Sequence, residues 1–179
     1  MSKKTKCLIK TLHLISACLW LGAATSIVLL QCLKGWADDG RLLLALNQNF
    51  SILDFALIIP GAMGSALTGY IMCKKTGWGL TRYWWIITKG ILTITLILIG
   101  SACLGPWQLK MVELSKPMGN SLMANASYDV IRLLFTVVGF VQVITLVCIV
   151  TISALKPWGK RVSKQKEANF VKHGPEVAV

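Results

Sequence analysis

Charge is scarce in this chain, and negative charge scarcer still. Charged residues make up 15% of its 179 positions, and Asp and Glu together number 7, whereas a soluble domain carries about a quarter charged residues. Histidine occurs twice, as His13 and His173. The 6 cysteines form no C-x-x-C and no paired spacing, which excludes a zinc knuckle and a disulfide framework. The sequence also lacks a phosphate-cradling glycine loop, G-x-S-x-G, H-E-x-x-H and paired carboxylates within an apolar stretch. No internal repeat points to an inverted-repeat transporter. No ten-residue segments of alternating polarity point to a membrane barrel.

What the chain has in abundance is apolar residues, 55% of the total, gathered into four blocks. These run over about residues 7–30, 50–73, 84–107 and 130–155. Each exceeds the roughly 20 residues that a helix needs to cross the hydrocarbon. Helices satisfy their own backbone in lipid, so the sequence predicts an all-α fold, an antiparallel bundle of four transmembrane helices over residues 1–159. A basic, mobile tail is expected over 160–179. The start MSKKTK has a signal peptide's charged head, but its apolar run is longer than an h-region and reads as a retained first helix.

The formal net charge of +12 would suggest nucleic acid in a soluble protein. Here the basic residues flank the apolar blocks, and no nucleic-acid partner is expected. Lys3, Lys4, Lys6 and Lys10, then Lys74, Lys75 and Arg82, then Lys156, Lys160, Arg161, Lys164, Lys166 and Lys172 fall on one side. The other side holds only Lys34, Arg41, Lys110 and Lys116. The positive-inside rule then places both termini in the cytoplasm of a cell whose inner membrane holds the chain. Trp36 and Trp107 mark one interface and Trp78, Trp84, Trp85 and Trp158 the other.

Polar groups inside spans are costly, so each is a functional candidate. His13 and Lys89 lie at similar depth, about 8 Å inside helices that enter from the same side. A neutral imidazole ligates haem iron, and a lysine serves as second ligand or propionate partner. The plainer alternative has His13 bonded to backbone and Lys89 snorkelling to the interface. Asp54 and Arg132 both begin outer helix ends and suggest a salt bridge between helices two and four. Gln142 suggests an interhelical hydrogen bond. Gly61, Ser65 and Gly69 form a small-residue stripe for helix packing, and Pro60 predicts a bend. Met111, Met118 and Met123 give a weak copper signal.

The run from His13 through Trp20 to Gly22, together with Asp54, Pro60 and Thr68-Gly69, resembles an uncharacterised family of bacterial four-helix integral membrane proteins. That family is similar to the membrane domain of copper resistance protein D and to membrane-embedded protoporphyrinogen oxidases. The segment from Trp85 to Lys89 resembles the W-x-x-x-K segment of the oxidases. The oxidases' arginine after Trp-Gly has no counterpart between Thr25 and Leu30. The resemblance implies haem b, with His13 as its metal ligand and Lys89 and Trp20 lining the pocket. It also implies membrane redox chemistry with quinone or porphyrin. The competing expectation is a non-catalytic membrane subunit or copper-transport accessory acting through other subunits or a second copy of itself.

Overall fold

The computed structural model describes residues 2–34, 40–75, 79–118 and 125–159, the side chains of 117 and 118 apart. Four helices in it are long and apolar enough to span a membrane: Lys3–Leu33, Gly40–Lys75, Trp84–Lys116 and Ala126–Leu155. The first, α1 (Lys3–Leu33), is capped by Ser2, whose hydroxyl accepts from the Thr5 amide at 3.2 Å. The last, α6 (Ala126–Leu155), is capped by Asn125 and stopped by Lys156 in a left-handed conformation, φ 49°.

Each middle span is two α-helices joined through one turn of π-helix. The second comprises α2 (Gly40–Leu53), the turn Asp54–Ile58, and α3 (Ile59–Lys75). The third comprises α4 (Trp84–Ile99), the turn Gly100–Leu104, and α5 (Gly105–Met118). In both, a proline follows the turn at the second residue of the next helix, Pro60 and Pro106. A proline has no N–H for the carbonyl four residues back and its ring collides with that carbonyl. Widening the preceding turn relieves the collision: the Ile59 and Gly105 amides reach back five residues, to the Asp54 and Gly100 carbonyls. The bend expected at Pro60 takes this form.

Both middle spans are longer than the apolar blocks at 50–73 and 84–107. Their extensions, α2 and the distal part of α5, are amphipathic. Gly40, Leu43, Asn47 and Phe50 recur every three or four residues and form the buried face of α2, the spacing of one helix side. That face packs with Met111, Ile27, Tyr128 and Phe135. A second cluster joins Trp20, Ala24, Ala62, Leu96, Leu146 and Ile149. Leu8, Leu29, Phe55, Ile94, Leu133 and Ile144 face outward, as lipid-facing positions do when tails are as apolar as leucine.

The expected packing stripe is used inside the chain. A Cβ on Gly61 would stand 2.8 Å from the Trp20 amide nitrogen, so α1 and α3 approach backbone to backbone only because no side chain intervenes. Gly69 lies against the His13 imidazole, where an added Cβ would meet Cε1 at 3.4 Å. Trp36, Trp78, Met123 and the tail from residue 160 onward lie outside the described residues, and so does the side chain of Met118.

Candidate functional site

Antiparallel helices bring the start of spans one and three together with the end of spans two and four. His13, Lys89, Thr68 and Ser153 therefore meet at the end of the bundle that holds both described termini. Lys89 Nζ stands 3.3 Å from His13 Nε2 and donates to the Ser153 hydroxyl at 3.1 Å. His13 Nδ1 lies 3.1 Å from the Ser65 carbonyl and 3.0 Å from Thr68 Oγ1. The Thr68 hydroxyl itself donates to the Gly64 carbonyl. A carbonyl only accepts, so Nδ1 carries the proton and the Nε2 lone pair faces the ammonium. His13 is buried and Lys89 half-buried. The matching depths read from the sequence correspond to direct contact.

Lys89 has no carboxylate partner among the described residues. Glu113 pairs with Lys110 at 3.0 Å and Asp129 with Arg132 at 3.3 Å, both towards the opposite end. Asp54 makes no ion pair there. The expected Asp54–Arg132 bridge is therefore not formed: Arg132 finds Asp129 three residues away on its own helix, without crossing the bundle, while Asp54 stands in the π-turn of span two. Gln142 also departs from expectation, since its buried amide oxygen has no hydrogen-bond partner among the described residues. Trp20 sits seven residues beyond His13, in the apolar cluster with Ala24 and Leu96. Its indole nitrogen is likewise buried without a partner. Met111 is fully buried in the core and does not belong to an outer face.

The opposite end holds a polar network that sequence reasoning missed. Lys34, only 3% exposed, donates to Asn47 Oδ1 and lies 4.0 Å from the Phe50 ring centroid. Asn47 Nδ2 donates to Ser115 Oγ at 2.6 Å and to the Tyr128 hydroxyl at 3.2 Å. Gln108 Nε2 donates to the Asn47 carbonyl at 2.7 Å. Gln31 Nε2 donates to the Arg132 carbonyl at 3.4 Å. Burial pushes the Lys34 ammonium down to about 7, and the nearby Arg132 charge adds to the effect. The signal for this network was the placement of Asn47 on the apolar face of α2, between Leu43 and Phe50. Lys34, in contrast, reads in sequence as an ordinary loop charge.

The His13 arrangement has a ligating histidine's orientation, with Nδ1–H on a carbonyl and Nε2 turned inward. Its surroundings do not fit a haem. Lys89 Nζ stands 3.3 Å from Nε2, in the direction that an iron ligated by this nitrogen would take. No group of three or more His, Cys, Asp or Glu side chains able to hold a metal occurs among the described residues.

Over residues 7–157 the chain matches the family described as predicted integral membrane protein (DUF2269), and it belongs to that family. No curated protein and no solved structure matches it.

Proposed function

We propose that this member of the family is a multi-pass protein of the bacterial inner membrane that binds a lipophilic ligand at the His13–Lys89 site. The ligand class is one whose head offers a carbonyl or carboxylate oxygen, such as a quinone or a porphyrin carboxylate. One observation carries the reading: an ammonium inside the bundle is held by neutral groups, an imidazole nitrogen and a hydroxyl. A cation in hydrocarbon without a counter-charge is costly, and an oxygen bearing partial or full negative charge would offset that cost. Lys89 would supply the charge-assisted bond. His13, anchored through Nδ1, would position the ammonium and exchange a proton with it.

In this reading the His13 end faces the cytoplasm, because Lys10, Lys74, Lys75, Arg82 and Lys156 cluster around it. Kinship with copper resistance protein D and the membrane-embedded protoporphyrinogen oxidases belongs to the same proposal, resting on His13, Trp20 and the Trp85–Lys89 segment. Haem itself does not fit this packing, and no step is assigned to it.

The test is tryptophan fluorescence of the purified protein in lipid nanodiscs, titrated separately with decylubiquinone and with protoporphyrin. Trp85 lies one helical turn from Lys89 and serves as reporter. Saturable quenching by one ligand is expected, weakened about tenfold or more by Lys89→Met and unchanged by Gly90→Ala. Absence of saturable quenching by both ligands, or indifference to Lys89→Met, would leave the competing reading, a non-catalytic subunit working through helix contacts.

A further inference from the structure

Midway along the bundle, the two π-turns face a cavity of about 50 Å³ lined by Asp54, Ile58, Gly100, Leu104, Gln108 and Gln142, among others. Three of its lining side chains, Asp54, Gln108 and Gln142, carry acceptor oxygens. Gln108 and Gln142 are 4% and 6% exposed, and the side-chain oxygen of each is buried without a hydrogen-bond partner among the described residues. For Gln108 the amide orientation is settled, because its nitrogen is committed to the Asn47 carbonyl at 2.7 Å. Its oxygen is therefore the orphan. The Asp54 carboxylate, half-buried at the same cavity, makes no hydrogen bond or ion pair among the described residues.

Orphaned buried acceptors are expensive, at about 1–3 kcal/mol each, and nearly all are satisfied in folded proteins. A cluster of them around one small space implies an occupant that donates to oxygen or coordinates it. We propose that the cavity binds a small, hard monovalent cation of sodium size. The Asp54 carboxylate supplies the charge, and the Gln108 and Gln142 side-chain oxygens serve as neutral ligands. Oxygen donors without sulfur or nitrogen select alkali and alkaline-earth ions. One carboxylate balances one positive charge, and inside a membrane a neutral site is far less costly than a charged one. Space agrees as well: a single water needs a cavity of about 10–15 Å³, so this one accommodates an ion with one or two waters. The basic groups beyond it are engaged elsewhere, Lys34 with Asn47 and the Phe50 ring and Arg132 with Asp129.

The site owes its existence to the prolines. Pro60 and Pro106 widen the turns ahead of them, and the turns carry Asp54, Gly100 and Leu104 to the cavity wall. This site is separate from the His13–Lys89 pair. The apolar cluster of Trp20, Ala24, Ala62, Leu96, Leu146 and Ile149 forms its own layer of the core, and none of those residues coordinates the proposed ion.

Thermal unfolding of the full chain in mild detergent tests the proposal, with sodium chloride exchanged for choline chloride at constant ionic strength. The expected result is a melting temperature that rises saturably with sodium, and loss of that dependence in Asp54→Asn and Gln142→Leu at unchanged helicity. Should Asp54→Asn fail to fold, equilibrium dialysis of the wild-type protein against radioactive sodium provides the second readout, with one ion per chain expected. Identical melting in sodium and choline would overturn the proposal, since it would mean that water and a protonated Asp54 fill the cavity. Sodium dependence retained in a folded Asp54→Asn variant, or dialysis well below one ion per chain, would overturn it too.

Discussion

Among single residues, Lys34 and Lys89 stand where lysines are costly. Lys34 is held by an amide oxygen and an aromatic face, and its acidity is displaced to about 7 from an ordinary value of 10.5. Because the folded-state value is lowered, the folded chain binds fewer protons than the unfolded one between those two pH values. Stability therefore rises with pH across that window. Below about pH 7 both states are protonated, and the full penalty of the buried charge persists. Melting of the wild-type protein between pH 7 and 9 should shift upward with pH, and Lys34→Met should flatten that slope. The pH slope is the decisive readout, because Lys34→Met also strands the Asn47 oxygen. The contact between His13 and Lys89 was legible in the sequence because depth along a helix is simple arithmetic from the membrane edge. Asp54 and Arg132 defeated the same arithmetic, since equal depth says nothing about a nearer partner on the same helix. Asp129 was that partner.

At the scale of elements, the four spans followed directly from the length of the apolar blocks. Their outer extensions did not, because α2 and α5 carry polar groups on their buried sides, Asn47 and Ser115 among them, and so break the equation of buried with apolar. The π-turns were half legible: Pro60 announced a distortion, while Pro106 lies just before Trp107 at the block's edge and passes for a helix boundary. Close approach of α1 to α3 yields a sharp contrast between two glycines. Gly61→Ala forces a methyl group against the Trp20 backbone and should destabilise by about 1–3 kcal/mol, the usual cost of overpacking. Gly90 has nothing within 4 Å of an added Cβ, so Gly90→Ala should be neutral or stabilising by up to about 1 kcal/mol. Unfolding in mixed micelles of both variants checks the pair. Equal effects would mean that the two helices do not touch at Gly61.

Across the whole molecule, polar side chains collect at the two ends and at the bundle's middle, with apolar clusters packed between them. The His13 end carries the ammonium–imidazole pair and most of the basic flanking residues, and the Asn47 end carries the Lys34 network. An alkaline phosphatase fused after Lys116 should be active, because that point lies at the Asn47 end and outside the cytoplasm in the proposed orientation. The same fusion after Trp158 should be silent. The reverse pattern would invert the proposed topology and, with it, the leaflet from which a ligand reaches Lys89.

With Nδ1 protonated, the imidazole of His13 presents a bare Nε2 to the ammonium of Lys89 inside the bundle. Solid-state nitrogen-15 NMR of the imidazole measures this most directly, in lipid bilayers and in a His173→Gln background that leaves one histidine. The expected result is a proton on Nδ1, an unprotonated Nε2, and an Nε2 resonance that moves when Lys89→Met removes its donor. A proton on Nε2, or a resonance indifferent to Lys89→Met, would contradict it.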